Sequence, residues 1–243
     1  MEKVVYLLWG APDPEWGDEL RGRLLGGVSE ELLRRGVRGL TVNVHDRLAG
    51  EALSPAPAPE GELTHVAQVS VWLDAYDRRG DLDDVVRDAG LDISAYLVTE
   101  SLYDDYGTTA HAAPRSWPDG ERSPGVLTVA RIHRPEGLDY DEWIDRWHGT
   151  QSPESARLQP RTRYVRNEVL RGVTDHAPEV HGIVEEGWPS AEHVRDPMLF
   201  FNADGDKDRC RQHIEQMMAN VDGCLDLARL RSTTMSEHLV LSV

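Results

Sequence analysis

Apolar residues recur along this chain with two different periods, and the order in which those periods alternate outlines an architecture. Lys3 to Trp9 is a short run of strand-forming residues. From Glu15 to Arg35 the spacing changes. Leu20, Leu24, Val28 and Leu32 fall on one helical stripe, and Gly36 follows as a C-terminal glycine. Leu40, Val42 and Val44 then alternate with their neighbours, which predicts a half-buried strand over Gly39 to His45. Ser54-Pro55-Ala56-Pro57-Ala58-Pro59 has too few amide hydrogens to join a ladder and is a loop. A strand over His65 to Leu73, a short helix from Leu82 to Ala89 ended by Gly90, and a strand over Ile93 to Leu102 complete the first half.

Residues 105–124 keep no period and are rich in Gly, Ala, Pro, Asp and Ser, so they read as a linker, with Trp117 expected to pin it to a surface. The same order then returns. A strand spans Gly125 to His133, a helix Asp139 to His148, and strands Thr162 to Arg171 and Val180 to Trp188. A helix over Asp208 to Val221 and an extended segment from Leu227 to Leu241 close the second half. Each half reads βαββαβ, the ferredoxin-like order. The predicted fold class is α+β: two tandem ferredoxin-like units, residues 1–104 and 125–243, whose open sheet faces pack together in a barrel. A cavity between a sheet and its inner contents would be the natural small-molecule site. Edge strands in such a fold can pair across subunits, so a homo-oligomer is expected.

Composition narrows the function classes. A chain of 243 residues buries enough core to fold without disulfides or metals. Its two cysteines, Cys210 and Cys224, stand at no metal-ligand spacing, which suits a reduced cytoplasmic setting. A formal net charge of -17 opposes binding to nucleic acid or to an anionic membrane. No apolar run approaches the ~18 residues that a membrane span needs. His133, His176, His181, His193 and His213 are scattered, and no phosphate loop or nucleophile elbow occurs. No metal and no tightly bound cofactor is expected.

The most informative stretch runs from Asp139 to His148. Asp139 and Glu142 make an Asp-x-x-Glu helix start, and Tyr140, Trp143, Ile144 and Trp147 then form one apolar stripe with His148 at its edge. That spacing serves a core as well as a substrate platform. A histidine at a helix end can cap the dipole or, with a pKa near neutrality, move a proton. In the following strand Arg163, Val165 and Asn167 share one face, while Tyr164 and Arg166 share the other. Glu185 and Glu186 must likewise point to opposite faces. Periodicity alone leaves open which face meets the cavity.

Trp147-His148, then Arg163-Tyr164-Val165-Arg166-Asn167, then Gly182-Ile183-Val184-Glu185-Glu186-Gly187-Trp188 together resemble the EthD family of dimeric α+β barrel proteins. The match covers roughly Leu127 to Arg231. The first half carries neither the Trp-His helix nor the Arg-Tyr-x-x-Asn strand, and Pro153 follows His148 by five residues where many members place a proline two residues on. The resemblance implies a tandem member of the family that handles a small hydrophobic, carbonyl or polyketide-like compound. As a cofactor-free enzyme it would use His148 as general acid/base in a dehydration, decarboxylation, isomerisation or oxygenation. Arg163, Tyr164 and Glu185 would assist that chemistry, and Trp143, Trp147, Asn167 and His181 would contact substrate. A non-catalytic binding or accessory protein and a haem-binding barrel are the alternatives it leaves open.

Overall fold

The computed structural model describes residues 1–243, apart from the side chain of Pro14. Its strands are β1 (Glu2–Gly10), β2 (Gly39–Val44), β3 (Thr64–Leu73), β4 (Asp92–Asp104), β5 (Val126–Ile132), β6 (Arg163–Gly172), β7 (Gly182–Trp188) and β8 (Arg231–Leu241). All pair antiparallel in one closed barrel of order β1-β3-β2-β8-β5-β7-β6-β4. The first four follow the order β4-β1-β3-β2 and the last four β8-β5-β7-β6. Two seams join them, β2 to β8 (Asn43 opposite Glu237) and β4 to β6 (Glu100 opposite Asn167).

The expected barrel is present: the two four-stranded sets curl into one interior, because each finds edge partners in the other. One expectation changes here. Closure removes every strand edge that could pair across subunits, so β-augmentation has no place to act. Any self-association must use helices or loops.

Period 2 along each strand separates two environments. Inward-facing Val5, Leu7, Tyr96, Leu127, Val129, Ile183 and Met235 fill the barrel. Outward-facing Val4, Tyr6, Leu8, Leu40, Val42, Val69 and Val71 pack under the first-half helices through Leu20, Leu24, Leu32 and Val86. Those helices are α1 (Pro14–Arg23), α2 (Ser29–Arg34) and α3 (Leu82–Arg87). Asp13 caps α1 by accepting from the amides of Glu15 and Trp16.

The second half carries α4 (Tyr140–Ile144), α5 (Ser152–Leu158), α6 (Ala191–Arg195), α7 (Pro197–Phe200) and α8 (Lys207–Asp222). In both halves the first helical stretch is broken by a π-helical turn, Leu24–Val28 between α1 and α2 and Asp145–Gln151 between α4 and α5. Each turn is followed by a buried serine that donates to the carbonyl five residues back: Ser29 to Leu24 at 2.6 Å, Ser152 to Trp147 at 2.8 Å. The stretch beginning at Asp139 therefore runs on to Leu158 instead of ending at His148. Gly149 and Pro153 resemble terminators, yet the wide turn accommodates a proline that donates no amide hydrogen. The short helices α6 and α7 were not expected, and β8 begins at Arg231 rather than Leu227.

Residues 105–124 form turns docked on β8. The amides of Gly120 and Ser123 donate to the carbonyls of Leu239 and Glu237, each at 2.8 Å. Trp117 packs edge-on against Tyr106, ring centroids 4.7 Å apart. Among the described residues no helix is long and apolar enough to cross a membrane.

Candidate functional site

Strands β6 and β7 divide the residues singled out in the sequence between two sides of the sheet. Arg163, Asn167 and Glu185 point into the barrel. Glu185 is fully buried and accepts from Gln68 Nε2 at 2.8 Å and Asn167 Nδ2 at 2.9 Å. Lys3 Nζ lies 3.3 Å from the same carboxylate and Arg163 Nη1 3.6 Å from it. Burial raises the proton affinity of Glu185, but Lys3, Arg163 and the two amide donors outweigh that and hold its carboxyl below the usual range. Arg163 also donates to Glu237 at 2.7 Å, which takes the Tyr106 hydroxyl at 2.8 Å, and Lys3 donates to Glu100 at 2.7 Å. This network spans β1, β3, β4, β6, β7 and β8. Glu185 is thus not available to orient His148, which lies beyond the other face of the sheet.

The outward set is Tyr164, Arg166 and Glu186, under α4, α5 and α8. Trp143 and Trp147 are buried against each other, centroids 5.0 Å apart, and Trp143 donates to the Cys224 carbonyl at 2.9 Å. The carbonyl acceptor and tight packing make Trp143 a core anchor. Trp147 Nε1 donates to the Tyr164 phenol oxygen at 3.3 Å, and the Arg161 guanidinium lies over the Tyr164 ring at 3.8 Å. Arg161 also donates to Glu186 at 3.0 Å. Burial raises the Tyr164 pKa, with Arg161 opposing it, so the phenol keeps its proton at neutral pH. Gly182 permits this packing: a Cβ there would lie 2.8 Å from both Ile132 Cγ1 and Trp147 Cη2.

Between this face and the helices lies an apolar cavity of about 240 Å³. Trp147, Phe200, Phe201 and Met217 wall it, and Tyr164 and Glu186 bring oxygen atoms to it from the sheet. Gln151, from the π turn, also lines it, with a buried amide oxygen that has no partner. The cavity lies outside the barrel, because the interior is filled by side chains. Phe200, Phe201 and Met217 were missed as site residues; the sequence signal for them was the clustering of aromatic and sulfur side chains in 198–218. Of the Glu185–Glu186 pair, Glu186 is the one at the cavity.

His148 sits in the π turn, half-buried, its ring 4.7 Å from that of Trp147. Desolvation first, then the charge of Arg166, depresses its pKa to about 4. Its Nε2 is buried without a partner. His148 does not line the cavity; Trp147 touches both.

His181 belongs to a third place. With His133 and Glu179 it forms a group whose possible ligand atoms lie within 4.8 Å of one another, a clustering invisible in the spacing because it joins the ends of two paired strands. The group suits hydrogen bonding better than a metal. Glu179 is paired with Arg229 at 3.1 Å, and His181 Nδ1 accepts the Arg134 amide at 3.2 Å, which leaves the imidazole hydrogen on Nε2.

No protein-family profile and no curated protein matches the chain. Solved structures do. A candidate monooxygenase from Lactobacillus acidophilus superposes with a TM-score of 0.50 at 9% identity, over 100% of this chain and 97% of that one. An anthrone oxidase-like protein gives 0.52 at 13% identity, over 98% of this chain and 93% of the other. A candidate chlorite dismutase gives 0.44 at 9%, covering 99% and 95%. At these identities the likeness is one of fold: this chain has the α+β barrel architecture of the first two, across its whole length.

Proposed function

We propose that the chain is a small-molecule enzyme of the α+β barrel class, acting on a compact, flat carbonyl compound held in the cavity outside β5, β6 and β7. The observation that carries this reading is the cavity itself: apolar and aromatic over most of its wall, with a phenol and a carboxylate set side by side on the sheet. The Tyr164 oxygen accepts from Trp147, and its own hydrogen meets only the long 3.5 Å contact with Ser152 Oγ, an acceptor that a substrate carbonyl, and the enolate that forms from it, would replace. Glu186, held by Arg161, is the carboxylate placed to take a proton from the adjacent carbon. Aromatic walls would orient the ring by stacking and burial.

His148 stays in this proposal as a neutral base beside Trp147, reached if substrate displaces the Trp147 ring. Its low pKa and unpartnered Nε2 support that role, as does its position in a π turn, a geometry frequent at functional sites. Arg163, Asn167 and Glu185 are proposed as the framework that holds β6 and β7 in register. Under the same reading, residues 1–104 and 125–243 are two ferredoxin-like units joined by 105–124. Their matching strand order and the matching serine contacts after each π turn support this. The EthD resemblance of the second unit fits a cavity on that side of the sheet.

The haem alternative finds a poor donor set. Axial haem ligands are His, Cys or Tyr, or Met paired with His. Met217 and Met218 line the cavity but no histidine or cysteine does, and Tyr164 is engaged by Trp147 and lies beneath Arg161.

Mass spectrometry of small molecules retained by the native protein, followed by turnover assays with a panel of bicyclic phenolic ketones, tests the reading. Binding that is lost in Met218→Trp, which fills the cavity from α8, is the expected result. Glu186→Gln should slow turnover by roughly 10²- to 10⁴-fold. The same loss in His148→Gln instead would move the base to His148. No retained compound and no binding from the panel would overturn the proposal.

A further inference from the structure

A buried cation whose one counter-ion is distant and shared stands at the end of the barrel where β1 finishes and β3 begins. Arg131 on β5 points inward and is 7% exposed. Its Nε and Nη2, the side-on edge of the guanidinium that grips a carboxylate in two parallel bonds, are buried and have no hydrogen-bond partner. The nearest carboxylate oxygen, Glu62 Oε1, is 3.9 Å from Nη2, and Glu62 is committed to Arg231 through contacts of 3.1 Å from Nε and from Nη2. The guanidinium lies 4.7 Å from the centroid of the Trp9 ring.

His65 meets the same Trp9 ring edge-on at 6.3 Å and is fully buried. Its Nε2 donates to the Val129 carbonyl at 2.9 Å, so Nδ1 carries a lone pair, and that lone pair has no partner. Burial and the charge of Arg131 keep His65 neutral, with a pKa of about 3. At the same end of the barrel a cavity of about 370 Å³ opens, lined by Glu62, Thr64 and Thr233 and roofed by Pro57, Pro59 and Leu63; Arg131 and His65 are not part of its wall, and Glu62 is the wall residue that reaches towards Arg131.

A guanidinium is not removed from water without a partner unless something else meets it. Two arginines, Arg131 and Arg231, here share the single carboxylate of Glu62, and Arg131 has the longer contact. We propose that this end of the barrel is a second small-molecule site, divided from the cavity under α8 by Ser232 and the proline-rich loop that both touch, and that it takes an organic monocarboxylate with an apolar body. The carboxylate seats on the Nε–Nη2 edge of Arg131, the apolar body lies under the proline-rich loop, and a hydroxyl next to the carboxylate donates to His65 Nδ1. Glu62 occupies the approach as an internal substitute that such a ligand displaces.

Titration calorimetry on the full chain with benzoate, salicylate and benzamide tests the site. Benzoate should bind at one equivalent, salicylate more tightly through its hydroxyl, and neutral benzamide at least tenfold more weakly than benzoate. Arg131→Met should weaken benzoate at least tenfold while melting no lower than the parent, since it removes an unpaired buried charge. Glu62→Gln, an exposed change that leaves the fold alone, should tighten benzoate several-fold. Met218→Trp should leave benzoate binding unchanged, which separates this site from the one proposed above. Equal binding of benzoate and benzamide, no binding at millimolar concentration, unchanged or weakened binding in Glu62→Gln, or loss in Met218→Trp would each overturn the inference.

Discussion

The two faces of β6 and β7 are one residue apart in sequence and opposite in character. Inward, Arg163, Asn167 and Glu185 belong to a locked lattice in which each charge meets an opposite charge and Glu185 alone has four neighbours to satisfy it. Outward, Tyr164 and Glu186 border empty space and keep hydrogen-bonding capacity in reserve. Rigid polar order on one side supports a face with slack on the other. A buried network of this kind is costly to break but does no chemistry, whereas groups with spare capacity beside a cavity suit a reaction.

The contrast is most sharply broken from inside. Glu185→Leu strips the shared partner from Lys3, Arg163, Gln68 and Asn167 and should cost about 3–5 kcal/mol, read as a lowered denaturation midpoint. A loss near zero would mean that the interior charges are hydrated and the lattice is not the scaffold.

Acid should act next most strongly, and on both faces with one sign. His65 has a folded pKa of about 3 and His133 and His148 of about 4, all below the 6.5 of a free imidazole. The unfolded chain therefore takes up protons below about pH 6.5 that the folded chain refuses. Stability is full above that pH and drains as pH falls towards 4. Fully buried His65 should contribute on the order of a few kcal/mol and half-exposed His148 much less. Unfolding curves at several pH values should flatten in His65→Leu far more than in His148→Gln.

The outer face should be the more forgiving. Tyr164→Phe removes a phenol held by long contacts and should cost about 1 kcal/mol or less, while sharply reducing turnover or ligand binding. Met218→Ala, half-exposed at the cavity wall, should stay within about 0.5 kcal/mol of the parent. A large stability loss in Tyr164→Phe would show that this face too is structural.

Much of this was legible in advance. The strands from Lys3 to Trp188 fall where runs of β-forming residues placed them, although Gly39–Val44, read as half-buried from its alternation, is buried on both faces. Periodicity also showed that Tyr164 and Arg163 must part company. It could not show which of them meets the cavity, since that depends on β6 finding β4 as its neighbour, a pairing between distant segments. The length of the helix after Asp139 was hidden by Gly149 and Pro153, which look like stops unless a π turn lies between them. The interior lattice was hidden as well. Lys3, Gln68, Glu185 and Glu237 lie on four strands far apart in sequence, and only barrel closure brings them together. Arg131 left only a faint trace, a charge in a run of β-formers.

Closure in a single chain also fixes an order of events. Leu40 pairs with Leu241, so nearly the whole polypeptide must be made before the seam between β2 and β8 can form. Until then a nascent first half has β2 and β4 as naked sheet margins and an inner surface bearing Lys3 and Gln68 without their counterparts. Contacts this remote in sequence belong to slow folders, and sheets waiting with bare margins are those that capture neighbours. Production of this protein should therefore be limited by the lifetime of its half-made barrel, and cooler, slower expression should favour the soluble form.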